Sequence, residues 1–238
     1  MKKLHQSKIL NNLDQFKKAK TIDGLMRQSL EMFLYWKIIE YVKPHSILEI
    51  GTFAGQTLGL MIEASGKTNG IYTSVDLNFN LLTNFKLLFD DVNIEYIETN
   101  SINLTLDREY DVVHIDGNHS YEYVRNDLEK VIPHLHNDSI LILDDYNFPG
   151  VDRAIDEFLS GKTNFVPFMQ GHQATFFHHQ NNDLNYFLDE YIYNNDINDF
   201  IQLDNINYKG FDVLKGNLLN VFVKHHDLFL KTLQLYNI

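Results

Sequence analysis

Apolar positions along the chain fall into two periods, and the order in which they alternate predicts the fold. Over residues 24–42, "GLMRQSLEMFLYWKIIEYV", Leu30, Phe33, Leu34, Ile38, Tyr41 and Val42 recur at helical spacing, and Pro44 closes the segment. Beyond it come short apolar runs separated by helical stretches: "SILEI" (46–50), "GIYTSVD" (70–76), "NIEYIET" (93–99), "YDVVHID" (110–116) and "SILILDD" (139–145). Strands alternating with helices, some apolar enough for burial on both faces, make a mostly parallel sheet covered by helices on each side. "NFVPFMQ" (164–170) and "QATFFHH" (173–179), parted by Gly171 and His172, predict an antiparallel hairpin at one edge. The expected class is α/β, a doubly wound seven-stranded sheet. Three regions follow: N-terminal helices over 1–45, a core over 46–180, and a mainly helical appendage over 181–238, whose Asn-rich tract keeps regularly spaced apolar residues.

Composition narrows what such a sheet can do. With 238 residues, 44% of them hydrophobic, the chain is long enough for one large core. It has no cysteine, which excludes disulfides, thiolate zinc sites and a Cys nucleophile, so any metal is held by oxygen or imidazole. A formal charge of -12, from 32 acidic and 20 basic residues, argues against a nucleic-acid partner, because affinity for phosphate backbones comes from clustered Lys and Arg. The cluster "KKAK" (17–20) reads as the solvated face of a helix. No run approaches the ~20 apolar residues of a membrane span, and the N-terminus lacks the apolar core of a signal peptide. A cytoplasmic protein with no membrane partner is expected.

Ligands of open α/β sheets bind at the carboxyl ends of the strands, so the residues just past each run are the ones to inspect. After the first run stand Glu49, Gly51, Thr52, Phe53, Gly55 and Thr57; after the second, Asp76; after the third, Asn100 and Ser101; after the fourth, Asp116 to His119; after the fifth, Asp144, Asp145 and Tyr146. Gly51 and Gly55 permit positive φ or close approach to the backbone. Phe53 occupies the place where a dinucleotide fingerprint has its second glycine, which disfavours a pyrophosphate. An acid before the loop and a bulky side chain within it suit a cationic, phosphate-free ligand better. Asp76 ends its strand where a carboxylate can accept both hydroxyls of a ribose, or cap a helix.

"EIGTFAGQT", followed by "SVD", resembles the class I S-adenosylmethionine-dependent methyltransferases, in particular the metal-dependent O-methyltransferases of the catechol and caffeoyl-CoA type. "HIDGNHSYEYVRNDL" with "LILDDY" resembles the bacterial methyltransferase family 24. The resemblance covers residues 25–180 and implies a Rossmann-like fold that binds S-adenosyl-L-methionine. It implies that Glu49 and Gly51 lie near the amino-acid end of the cofactor, that Asp76 takes the ribose, that Asn100 and Ser101 lie near the adenine, and that Thr52, Phe53, Gly55, Thr57, Asp116 and His119 also belong to the cofactor site. It also implies that the fourth and fifth strands are neighbours. Asp116, Asp144 and Asp145 then converge, and three converging carboxylates repel unless a cation or a proton is shared. They match the family's metal ligands residue for residue, and oxygen donors suit Mg2+, with Mn2+ or Ca2+ as alternatives. The family's last ligand is usually Asn, so Asp145 adds a negative charge.

His119 stands, three residues past Asp116 and on the expected first turn of the next helix, where the catechol branch has a Lys general base. An imidazole is well matched to deprotonating a metal-acidified hydroxyl, and its plainer reading is a local cap. The function expected from this resemblance is divalent-metal-dependent O-methylation of a small polar acceptor such as a sugar, phenol or natural-product intermediate. Two alternatives stand beside it: a metal-independent O- or N-methyltransferase with His119 as base, and a non-catalytic cofactor-binding protein. Tyr121 and Tyr123 read as walls of the site, Trp36 as packing, and His172 with Gln173 as a hairpin turn. The appendage is expected to be a substrate lid or a homodimer contact through Phe222, Leu228 and Leu230.

Overall fold

The five apolar runs become the parallel half of a sheet in the computed structural model of the protein, which describes residues 34–66, 70–82, 85–86, 89–161, 163–171, 173–180, 184 and 202–217. They are β1 (Ser46–Ile50), β2 (Ile71–Asp76), β3 (Ile94–Glu98), β4 (Tyr110–Ile115) and β5 (Leu135–Leu143). β1 pairs in parallel with both β2 and β4, so strand order reverses beside it, and the carboxyl ends of β1 and β4 flank the crevice that such a reversal opens. β4 pairs in parallel with β5, which makes the two acid-tipped strands neighbours.

Helices cover both faces because their apolar residues recur on one side. On one face lie α1 (residues 34–42) and α2 (Gln56–Ala64), burying Leu34, Ile38, Ile39, Leu58, Met61 and Ile62. On the other lie α3 (Tyr121–Val131) and α4 (Pro149–Ser160). α4 starts on Pro149, whose missing N–H costs nothing in a first turn, and buries Val151, Ala154, Ile155 and Phe158 at helical spacing. Each large apolar side chain so buried contributes about 1.5–3 kcal/mol. Among the described residues no helix is long and apolar enough to cross a membrane.

The expected edge hairpin is present as β6 (Phe165–Gln170) and β7 (Thr175–His179), with β7 inserted antiparallel beside β5. His178 meets Phe168 and His179 meets Phe165 edge-on, on opposite faces of the sheet.

Two expectations are corrected. The sheet has nine strands among the described residues, not seven, in the order β3-β2-β1-β4-β5-β7-β6-β9-β8, and residues 202–217 are not helical. They form the hairpin β8 (Gln202–Tyr208) and β9 (Phe211–Asn217), and β9 runs parallel to β6. The cause is visible in "QLDNINYKGFDVL": polar and apolar residues alternate around Lys209-Gly210, both at positive φ (51 and 90), the two-residue turn whose twist suits a hairpin. Lys209 Nζ then ties the turn to α4 through Asp152 (2.7 Å) and Asp156 (2.6 Å). The core therefore extends past residue 180. Leu30, Phe33, "KKAK", His172, the rest of the appendage with Phe222, Leu228 and Leu230, and His225-His226 lie outside the described residues.

Candidate active site

The crevice is built on one close approach. Gly51 has φ +92, and a Cβ there would lie 2.0 Å from the backbone oxygen of Asp116, so only glycine lets the loop after β1 pass against the loop after β4. Asp116 N–H donates to Ile50 O (2.8 Å) and Gly51 N–H to Val75 O (2.8 Å), which locks the tips of β1, β2 and β4 together. Phe53, also at positive φ, donates its N–H to Asp76 Oδ2 (2.7 Å), while Thr52 is buried and accepts from Ser74 Oγ (2.8 Å). Gly55 caps α2 in the left-handed region and Thr57 follows within its first turn. Asn100 caps the turn after β3 by accepting from Ile102 N–H (3.1 Å), and its amide donates to Tyr123 OH (3.1 Å). Asn126 Nδ2 donates to Ser101 O (3.4 Å), so α3 is laced to the same loop.

Large apolar side chains stand open to solvent around these loops: Phe53 and Leu77 after β1 and β2, Ile102 after β3, and Phe148 after β5. Their exposure gives the crevice an apolar rim at the strand tips. Leu77, Ile102 and Phe148 were not legible as such, because only the tertiary structure distinguishes an exposed apolar residue from a core one.

On the acid side, Asp116, His119 and Asp145 have ligating atoms within 4.8 Å of one another, and so do His114, Asp116 and Asp144. His119 Nε2 lies 3.1 Å from Asp145 Oδ2 and 3.6 Å from Asp116 Oδ1. Asp116, aided by the charge of Asp145 and opposed by burial, holds the His119 pKa above its usual value. Burial, reinforced by the charge of Asp116, pushes Asp144 up to about 6, and burial raises Asp145 as well. Burial is the main cause of both shifts, and the neighbouring charge of Asp116 adds to it. Asp145 itself sits at φ 56, ends the strand, and accepts at Oδ1 from Gln173 Nε2.

His119 is not on the first turn of a helix. α3 starts at Tyr121, after Ser120 in an extended conformation whose N–H is held by Asn118 Oδ1 (2.9 Å). The loop position frees the imidazole to lean across the tip of β5, where its ring meets Phe148 at 4.8 Å. Tyr121 points instead to α4, where its OH donates to Glu157 and Arg153 lies over its ring. Trp36 is half-buried on α1. A cavity of about 600 Å³ beside α3 and α4, lined by Arg125, Glu129, Glu157, Phe158 and His179, contains none of the strand-tip acids.

Beneath the acids runs a chain that sequence reading missed. Glu49 and His114 are register partners across β1 and β4. His114 Nδ1 meets Glu49 Oε1 at 3.0 Å and its Nε2 meets Tyr35 OH of α1 at 3.0 Å, all three residues being buried. The available signal was a His inside the apolar run "VVHID". Burial pulls the His114 pKa down, but the hydrogen bond and charge of Glu49 outweigh it and raise the value to about 8. Burial likewise raises Glu49, so the pair keeps its shared proton at neutral pH.

Because the folded pair binds that proton more tightly than a free imidazole, its stabilisation is complete below about pH 6.5 and is lost as pH rises through about 8, an effect on the order of 2 kcal/mol. Urea unfolding at pH 6 and pH 9 measures it. His114→Leu strands Glu49 in the core and is expected to cost roughly 3 kcal/mol, whereas His114→Leu combined with Glu49→Leu recovers most of that loss in the same assay.

Residues 48–146 match the family model described as a methyltransferase domain. The SAH-bound methyltransferase PaMTH1 of Podospora anserina superposes with a TM-score of 0.55 at 17% identity, over 72% of this chain and 87% of that one. The O-methyltransferase TomG of Streptomyces achromogenes, in complex with SAM, gives 0.51 at 14% identity over 75% and 91%. An O-methyltransferase of Bacillus cereus in complex with SAH gives 0.52 at 11% identity over 72% and 88%. None of the curated protein sequences matches the chain. The chain thus has the fold of the class I S-adenosylmethionine-dependent methyltransferases. Within that fold, residues 48–146 are similar to a methyltransferase domain.

Proposed function

We propose that the enzyme transfers a methyl group from S-adenosylmethionine to an oxygen of a small acceptor bearing two neighbouring oxygens, and that a divalent cation, Mg2+ by preference, is held by Asp116, Asp144 and Asp145. The observation that carries the reading is a pair of overlapping triads at the adjoining tips of β4 and β5, Asp116 with His119 and Asp145, and Asp116 with His114 and Asp144, which have Asp116 in common. Raised carboxylate pKa values within an oxygen-rich donor set fit a hard cation. On the cofactor side, Glu49 Oε2 is buried without a hydrogen-bond partner among the described residues, and Asp76 accepts from Phe53 N–H at Oδ2 (2.7 Å) and from Asn78 N–H only at long range at Oδ1 (3.4 Å), next to the exposed Leu77 in the chain. An acid under the loop, a carboxylate at the next tip and an apolar rim suit an aminoacyl group, a ribose and an adenine in turn. The structural relatives bound to SAM or SAH support the same ligand.

The cation, when bound, lowers the pKa of an acceptor hydroxyl and orients it. The chain's own residues supply the rest. His119 Nε2, 3.1 Å from Asp145 Oδ2 and 3.6 Å from Asp116 Oδ1, is the group of the chain placed to accept the hydroxyl proton. The tips of β1 and β4, held together by the close approach at Gly51, keep the two substrates in line, where orientation supplies most of the acceleration. A second reading has its own support: His119 and Asp145, 3.1 Å apart, form a pair able to take a proton without a cation.

Calorimetric titration with S-adenosylhomocysteine, then with magnesium, tests the proposal. Metal-independent binding of the first and a one-site isotherm for the second are expected; cofactor binding with no magnesium isotherm supports the metal-free pair instead.

A further inference from the structure

The β6–β7 hairpin lies outside the matched methyltransferase domain, yet it reaches into the acid site. β5 and β7 pair antiparallel up to Leu143 opposite Thr175. Continuing that register by two residues sets Asp145 opposite Gln173, and the contacts follow it. Tyr146 N–H donates to Gln173 O (2.9 Å), and Gln173 Nε2 donates to Asp145 Oδ1. The other oxygen, Oδ2, is the one 3.1 Å from His119 Nε2. Asp145 holds a left-handed backbone, φ 56, a conformation that Asp tolerates better than most residues with a Cβ. Gln173 grips that turn from its main chain and its side chain at once.

We propose that Gln173 is a positioning residue for the cation site. By occupying Oδ1 it fixes the rotation of the Asp145 carboxylate, so that Oδ2 is presented toward Asp116 and His119. A neutral amide suits this role, because it satisfies one oxygen without cancelling the charge that a cation needs, as a Lys or Arg at the same place would. The role rests on the metal reading proposed above. A hydrogen-bond partner of this kind behind a metal ligand is worth about 10–100-fold in metal affinity.

The test is calorimetric titration of the full-length protein, saturated with S-adenosylhomocysteine, with Mn2+. Gln173→Leu and Gln173→Met keep the side-chain length or volume and remove the donor. Both are expected to weaken Mn2+ at least about 10-fold, while S-adenosylhomocysteine affinity stays within about twofold of the parent. Variants that lower the unfolding temperature but leave the Mn2+ isotherm unchanged would overturn the role, since Gln173 would then be only a hairpin residue. A parent protein that binds S-adenosylhomocysteine but no Mn2+ would overturn the metal reading itself, and the two failures are told apart by the parent's isotherm.

Discussion

Asp144→Ala abolishes the magnesium isotherm, a loss of at least about 100-fold in affinity, and leaves S-adenosylhomocysteine binding nearly intact. The expectation follows from where Asp144 sits. It is half-buried, with Asp116 and His114 as neighbours, and its pKa of about 6 reports a carboxylate whose charge is opposed by burial and by Asp116. A divalent cation relieves that opposition, and removing one of the three carboxylates takes away both a donor and a unit of charge. Asp144 follows β5, which β4 separates from β1 in the sheet, so the cofactor side stays assembled. Methyl transfer to a vicinal diol such as catechol should fall in parallel. Undiminished transfer by the variant in the presence of a chelator would remove the metal from the reaction.

Gly51→Ala is the second large effect, expected to cost about 3 kcal/mol or more and to weaken S-adenosylhomocysteine binding at the same time. A Cβ at Gly51 meets Asp116 O at 2.0 Å and Gly117 Cα at 2.7 Å, backbone atoms that cannot swing aside, and the residue also holds φ +92. Either β1 and β4 separate at their tips or Asp116 leaves its place beside Asp144. Gly210→Ala is the control: its φ is +90 but no atom lies within 4 Å of the added carbon, so it should lose only about 1–2 kcal/mol, the cost of a left-handed backbone. Urea unfolding of both variants, with cofactor-product titration of the first, separates the close approach from the conformational cost.

β1, β4 and the second half of β5 were legible because they are buried on both faces, which leaves a nearly continuous apolar run, whereas β3 is half-exposed and was legible from its alternation. The acids were legible for the same reason: a carboxylate at the end of such a run has no place in a core. The hairpin at 202–217 was hidden by its composition, since Asn and Asp interrupt the alternation of "QLDNINY" and make it read as helix and turn. His119 was found, but its perch before α3 depended on the extended Ser120, whose N–H donates to Asn118 Oδ1 in one local hydrogen bond.

The sequence by itself determined the α/β class, the strand tips, the glycines of the first loop and the acids Asp116, Asp144 and Asp145, all properties of short segments read one at a time. Only the tertiary structure decided who meets whom: Glu49 with His114 and Tyr35, Asp145 with Gln173, and a ninth strand beyond the expected edge. The physical reason is that hydrophobic periodicity encodes which way a side chain faces, whereas partnership between distant residues is set by strand order and register, which no single segment contains.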